Sequence, residues 1–239
     1  MICLMTSPEF AIAVQARTSS SRFPGKVLFP IKDTPLILHI ISRLKILNLP
    51  VYVLTSDDST DDELVDLLAK NNVEFFRGNL NNVLSRFNSF LLATNYSHVF
   101  RISADSPLIH PALLMQALHL ANEENDFDLI TNVLPRSFPK GQSIELISRG
   151  ALNLAEERTS EMKDLEHVTS FFYRNVEKYK VINFASESNL AFWNLCIDTF
   201  EDLERLNTIM EIALSKPNSD VFWSDWDKFV SVLETVGPV

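Results

Sequence analysis

Residues 15–26 read Gln15-Ala16-Arg17-Thr18-Ser19-Ser20-Ser21-Arg22-Phe23-Pro24-Gly25-Lys26, with three cations, four hydroxyls and no acid. They follow a short apolar run, Phe10-Ala11-Ile12-Ala13-Val14, which reads as a buried first strand. The chain around them is acidic, with a net charge of -10. A cationic, hydroxyl-rich loop at the end of a first strand suits a polyphosphate. Arg17, Arg22 and Lys26 can neutralise it, while backbone amides and the hydroxyls of Ser19 and Ser20 complete the cradle. The pattern is not the P-loop G-x-x-x-x-G-K-[ST], because only Gly25-Lys26 is present and Val27 follows. A dinucleotide G-x-G-x-x-G is also missing, and the chain has only five glycines. The bland alternative is a solvated loop whose charges hold nothing.

Carboxylates supply the second half of a phosphate chemistry. Asp105 stands after an apolar run, inside Asp105-Ser106-Pro107-Leu108, where Pro107 keeps the preceding residue out of helix. A carboxylate at the end of a strand suits Mg²⁺, which takes oxygen ligands and keeps waters and substrate phosphates. A plain turn or helix-start Asp fits the local pattern equally well. Asp198 follows Leu195-Cys196-Ile197 and precedes a helix, so its spacing alone reads as a helix-start acid. Arg101 either contacts phosphate or pairs with an acid. Ser56 and Asp57 follow the second strand, where a base or ribose can lie, and turn chemistry explains them equally well. Arg77 carries the same ambiguity.

These residues need a scaffold that brings strand ends together. Apolar runs predict strands at 10–14, 51–55, 73–76, 99–103 and 128–131. Helical spacing predicts helices at 35–47, 61–70, 83–93 and 111–121, with Ser59 or Thr60 capping the second. Pro111 falls in the first turn of the fourth. Such alternation predicts a mainly parallel sheet covered on both faces, with ligands at the carboxyl ends of its strands. Beyond Leu134 the pattern changes at Pro135, Pro139 and Gly141. Strands are expected at 144–147, 181–184 and 195–197, and helices at 165–173, 200–214 and 220–235. The aromatic tail of Phe222, Trp223, Trp226 and Phe229 reads as core or a subunit contact, not a ligand box.

With 239 residues, 46% hydrophobic and 22% charged, the chain has globular composition and room for one large domain. The acidic balance argues against nucleic acid and against an anionic membrane surface as partners. It leaves room for a small anion in a locally cationic pocket. Two cysteines, Cys3 and Cys196, make neither a disulfide scaffold nor a zinc site, so a reduced, cytoplasmic setting is expected. No apolar run reaches the ~20 residues of a membrane span. Residues 1–8 lack the basic start and long apolar core of a signal peptide and are set aside.

The pattern Gln15-Ala16-Arg17-x-x-Ser20-x-Arg22-x-Pro24-Gly25-Lys26-Val27-Leu28 resembles the signature loop of the cytidylyltransferases that activate acidic sugars. These include the acylneuraminate and 3-deoxy-manno-octulosonate enzymes, and the branch named for a spore-coat polysaccharide biosynthesis protein is the nearest. Further matches follow in family order. They are Arg77-Gly78 with Val83-Leu84-Ser85-Arg86-Phe87, Arg101 to Ile109, Asn132 to Gly141, Glu166-His167-Val168-Thr169, and Asp198-Thr199-Phe200-Glu201-Asp202-Leu203-Glu204.

The resemblance implies a three-layer α/β/α nucleotidyltransferase, glycosyltransferase-A-like, with a mainly parallel mixed sheet across residues 9–239. Residues 133–194 would carry acceptor binding and dimerisation in a homodimer. The implied reaction moves CMP from CTP to a sugar, acidic or amino, with release of pyrophosphate, for surface polysaccharide or glycoconjugate synthesis. Arg17, Lys26 and Asp105 would be catalytic, with Mg²⁺ on Asp105 and Asp198. The nucleotide would meet Gln15, Ala16, Arg17, Ser19, Ser20, Arg22, Lys26, Ser56, Arg77 and Arg101. The sugar would meet Arg136, Lys140, Glu145 and His167.

Two departures stand out. Phe200 replaces the family's usual Pro, which removes some rigidity at a helix start. Ser143 replaces a carboxylate in Gly141-Gln142-Ser143-Ile144-Glu145, which leaves open the acceptor's identity and its rate of turnover. The rival readings are a transferase of another nucleotide or to a non-sugar acceptor, and a nucleotide-binding homologue with reduced catalysis. Uridylyl- and guanylyltransferases usually open on a Gly-rich loop, which this chain lacks.

Overall fold

The apolar run after Glu9 does form the first strand. The computed structural model describes residues 9–216 and 221–237. It opens with β1 (Phe10–Gln15), a small hairpin of β2 (Pro30–Ile31) and β3 (Thr34–Pro35), and α1 (Leu36–Leu44). Next come β4 (Val51–Ser56), α2 (Asp62–Lys70), β5 (Glu74–Gly78), α3 (Val83–Ala93), β6 (His98–Ser103) and α4 (Pro111–Glu124). The second half holds β7 (Leu129–Thr131), β8 (Glu145–Ser148), α5 (Arg149–Arg158), α6 (Met162–His167), α7 (Ser170–Arg174), β9 (Val181–Asn183), α8 (Phe200–Leu214) and α9 (Trp226–Val236).

The large sheet has the order β5-β4-β1-β6-β8-β7-β9. β1 is parallel to both β4 and β6, and β4 to β5. β8 runs antiparallel between β6 and β7, and β9 is parallel to β7. The chain leaves β1 for β4 and β5 on one side, then returns to β6 on the other. That reversal opens a crevice at the carboxyl ends of β1 and β6, the place where open α/β sheets bind ligands.

Alternation sorts the strand side chains into two layers of core. Ile12, Val14, Val53, Phe100 and Ile102 meet α1, α2, α4, α8 and α9 on one face. Ala11, Ala13, Val99, Leu129 and Ile147 meet α3, α5 and α7 on the other. The aromatic tail joins the first core, with Trp223 and Phe229 buried, as its helical spacing requires.

Several expectations need correction. The apolar run Leu195-Cys196-Ile197 is not a strand; its amides bond to the Lys140 and Asp105 carbonyls, each at 2.8 Å, so it is strapped between two loops. The single helix expected over 165–173 is two, α6 and α7, broken where Val168 takes φ 56°. Helix α2 is not capped by Ser59 or Thr60; the Asp58 side chain caps the preceding turn by accepting the Thr60 N–H at 2.9 Å. Pro35 belongs to β3, and α1 tightens into a 3₁₀ turn over Lys45–Leu47. Helix α5 and the β2–β3 hairpin were not expected. The last helix starts at Trp226, after a 3₁₀ turn over Val221–Ser224, and position 220 lies outside the described residues.

Candidate active site

The cationic loop leaves β1 and folds back on itself through the Thr18 carbonyl, which accepts the N–H groups of Ser20 (2.8 Å) and Gly25 (2.9 Å). Gly25 sits at φ 72°, a left-handed conformation that glycine adopts without a Cβ penalty. The loop's root is held by Asp61, a fully buried carboxylate from the turn before α2. Asp61 accepts the N–H of Thr18 (2.7 Å), the N–H of Ser56 (3.1 Å) and the hydroxyls of Thr55 (2.9 Å) and Ser56 (2.5 Å). Burial pushes the Asp61 carboxyl up, but the hydrogen bonds from Ser56, Thr18 and Thr55 outweigh it and hold the group below its ordinary range. Sequence reasoning missed this residue, because an acid before a helix reads as a first-turn charge.

Lys26 carries the loop's far end into the centre. Its Nζ donates to the Ile197 carbonyl (2.8 Å) and to Asp198 Oδ1 (3.1 Å), and lies 3.8 Å from Asp105 Oδ2. Arg22 pairs with the other Asp198 oxygen at 3.1 Å. Thus residues separated by 172 positions, Lys26 and Asp198, meet Asp105 at the end of β6. A capping box holds the Asp198 backbone. The Asp202 carboxylate accepts the N–H groups of Asp198 and Thr199, and the Thr199 hydroxyl accepts from Asp202. Phe200 packs edge-on against Phe23 and Phe29, both at 6.1 Å between ring centroids, so the loop is clasped to the start of α8. The rigidity that proline would give is met here by the box and the rings. The nearby Cys196 thiol is pushed up to about 12 by burial and then by Asp105, so it stays protonated.

A second polar group crosses the sheet on the α3–α5 side. Arg101 Nε donates to Gln15 Oε1 (3.1 Å), and its Nη1 pairs with Glu145 at 2.5 Å. Glu145, buried, also accepts the hydroxyls of Thr169 (2.7 Å) and Tyr173 (2.6 Å). Strand register explains the meeting, since Arg101 and Thr131 are the cross-strand partners of Glu145. Burial, then the adjacent Glu145 charge, drives the Tyr173 hydroxyl well above its ordinary range and keeps it a donor.

The other expected residues divide plainly. Arg17 reaches Glu166 of α6, at 3.3 Å. Ser19 is exposed, and the Ser20 hydroxyl lies 3.5 Å from the Phe23 N–H, which it accepts. Ala16 is buried, with its N–H on the Leu54 carbonyl. Ser56 is fully buried against Asp61. Arg77 ties down the β4–α2 connection through the Ser56 and Asp58 carbonyls and the Asp62 carboxylate. On the acceptor side, Arg136 donates to Ser143 Oγ at 3.0 Å, so the position that departs from the family pattern is its partner. Lys140 and His167 are exposed. Glu145, expected to face the acceptor, is instead enclosed by Arg101, Thr169 and Tyr173.

Cations and carboxylates gathered beyond the carboxyl ends of β1 and β6, on this mixed sheet, define a nucleotidyltransferase. Residues 11–219 match the sequence pattern of the cytidylyltransferases, and the chain belongs to that family. It is an enzyme of that class. It is 28% identical to the spore coat polysaccharide biosynthesis protein SpsF of Bacillus subtilis (strain 168), covering 88% of this chain and 90% of that one. It is 24% identical to the 3-deoxy-manno-octulosonate cytidylyltransferase of Solibacter usitatus, over 84% of this chain and 94% of the relative. A solved cytidylyltransferase from Leptospira borgpetersenii serovar Hardjo-bovis superposes with TM-score 0.86 at 27% identity, covering 95% and 93% of the two chains.

Proposed function

We propose that this enzyme transfers CMP from CTP to a hydroxyl of an acidic or amino sugar and releases pyrophosphate. The observation that carries the reading is Lys26 held against Asp198 and Asp105 beneath a cationic loop. The sugar oxygen bonds to the α-phosphorus, the bond to the β-phosphate oxygen breaks, pyrophosphate leaves with that electron pair, and the hydroxyl proton is released. Arg17 and Arg22 meet the outgoing phosphates, and Lys26 fixes the positions of the two carboxylates. Preorganised charge of this kind stabilises what develops in the transition state.

Two partly exposed carboxylates within 4 Å of one ammonium are a hard-oxygen donor pair that fits Mg²⁺. Asp105 and Asp198 would hold the ion, which supplies charge neutralisation to the triphosphate. Among the described residues, no cluster of three or more metal-ligating side chains occurs, so the remaining ligands of such an ion would come from phosphate and water. Arg136, with a neutral partner in Ser143, and exposed Lys140 would meet the acidic group of the sugar. The name of one relative supports a product destined for polysaccharide, and that of another a sugar acid as acceptor. The reading includes a cytoplasmic homodimer with residues 133–194 at its interface. Among the described residues no helix is long and apolar enough to cross a membrane.

The test is CTP-dependent pyrophosphate release with Mg²⁺ over a panel of sugar acids and amino sugars, with UTP, GTP and ATP as comparisons. Release with CTP and one acceptor class supports the reading. Binding of CTP without release across the panel overturns it.

A further inference from the structure

Val168 is the most strained point beside the site. Its φ of 56° and ψ of -65° belong to a tight γ-turn, closed by the Thr169 N–H on the His167 carbonyl at 2.5 Å. A β-branched residue at positive φ persists only where its surroundings over-determine it, and such strain gathers at functional positions. Here the over-determination is visible. The Val168 side chain is fully buried, and its N–H bonds to the Asp164 carbonyl at 2.8 Å. The buried Asp164 carboxylate takes donors from both sides of the turn: Thr159 at 2.7 Å, Ser170 at 2.6 Å, and Arg174.

The turn sends its two flanking side chains in different directions, one route ending on Gln15, the last residue of β1, and the other on Arg17 in the loop that leaves it. Outward, Glu166 accepts from Arg17 Nη2 at 3.3 Å. Inward, Thr169 donates to Glu145, Glu145 pairs with Arg101, and Arg101 donates to Gln15. Gln15 and Arg17 are two residues apart, so a closed ring of contacts joins the acceptor-side helices to the root of the cationic loop. The single Glu166 contact leaves other guanidinium N–H groups of Arg17 for a ligand.

We propose that the 166–169 turn is a positioning element for the nucleotide's phosphates, with Glu166 and Thr169 as its two anchors. Glu166 orients Arg17 rather than competing with the nucleotide for it. This rests on the proposed function only in taking Arg17 to a phosphate.

The experiment is titration calorimetry of the full chain with CTP and with CMP, both with Mg²⁺ and no acceptor, alongside thermal melts. Wild type is expected to bind CTP more tightly than CMP. Glu166→Ala should weaken CTP about two- to fivefold, the range of a half-exposed charged contact, with CMP unchanged. Glu166→Gln keeps an oxygen acceptor and should restore most of the loss. Thr169→Val should weaken CTP in the same sense, and the double variant should lose less than the product of the two single effects, because both act through one turn. Tighter CTP binding by Glu166→Ala, equal losses for CTP and CMP, or independent effects of the two variants overturns the proposal. Glu166 is half exposed, so its CTP-to-CMP ratio stands even if Thr169→Val melts early. Should wild type bind CTP no better than CMP, the phosphate role of Arg17 falls with it. A wild-type preference with indifferent variants removes only the turn's role, and pyrophosphate release judges the reaction separately.

Discussion

Lys26 Nζ stands 3.1 Å from Asp198 Oδ1, and 3.8 Å from Asp105 Oδ2. The ammonium is nearly buried, with 11% of its side chain exposed, so this pairing is far less screened than a surface ion pair. Without a cation between them, two carboxylates converging here would repel each other and drift apart. Lys26 therefore offsets the repulsion between them.

Lys26→Ala should lower turnover by about 10²- to 10³-fold, the effect of removing one preorganised charge from a transition-state site. Asp105→Asn and Asp198→Asn should fall in the same range. Steady-state pyrophosphate release checks all three. Normal turnover in either carboxylate variant removes the metal assignment, and unchanged CTP affinity in Lys26→Ala removes the lysine from the site.

Asp61 is not among the residues expected to meet a ligand, yet it holds the root of the loop. In Asp61→Asn one of the two oxygens becomes an NH₂, which would face either the Thr18 or the Ser56 N–H, donor against donor. Leaving such a buried group unsatisfied costs about 1–3 kcal/mol. The variant should melt earlier and bind CTP less tightly. A wild-type melting temperature contradicts the role.

His110 gives a pH dependence whose sign can be worked out. It is fully buried, its Nε2 donating to the Phe222 carbonyl and its Nδ1 accepting the Ala112 N–H, which fits only the neutral ring. Burial lowers it to about 4 from 6.5. Between those values the unfolded chain takes up a proton that the folded chain refuses. Its contribution is full above pH 6.5 and is lost as pH falls through the window, amounting to about 3 kcal/mol. Half-buried His39 and His98 are lowered too, so wild type alone does not isolate the effect. His110→Asn keeps a capping oxygen without titrating, and its melting temperature should vary less between pH 6.5 and 4 than that of wild type.

The β-α alternation was legible because buried strands and amphipathic helices carry their period in the sequence, as in β4 and α8. Its failures are tertiary. The run Leu195 to Ile197 is apolar because loops enclose it, and burial alone does not distinguish that from a strand. Helix α5 buries only Ala151, Leu152 and Ala155, a thin stripe among charges. Asp105 beside the cationic loop could be expected from strand ends and Asp198 from the family resemblance, but Asp61 from neither. Its donors lie up to 43 positions away, and nothing local shows which acid of Asp61-Asp62 turns inward. Glu145 was expected to face the acceptor from the family resemblance, and no pattern in the sequence reveals that register sets it opposite Arg101.

Gly141 links the acceptor side to the carboxylates through backbone alone. It takes φ +88°, and a Cβ built there would lie 2.8 Å from the carbonyl carbon and oxygen of Leu195. Leu195 cannot retreat freely, since its N–H is held by Lys140 and the Ile197 N–H by Asp105. A side chain at Gly141 would therefore push the segment that ends at Asp198. Gly25 is the control: at φ +72° it has nothing within 4 Å of an added Cβ. Gly25→Ala should lose only the left-handed penalty, about 1 kcal/mol. Gly141→Ala should lose that and the clash, about 2–4 kcal/mol together. Its turnover should fall while the protein remains folded, because the displaced backbone carries Asp198. Parallel denaturant melts and pyrophosphate assays check the pair, and equal losses in the two variants would show that Leu195 yields without moving Asp198.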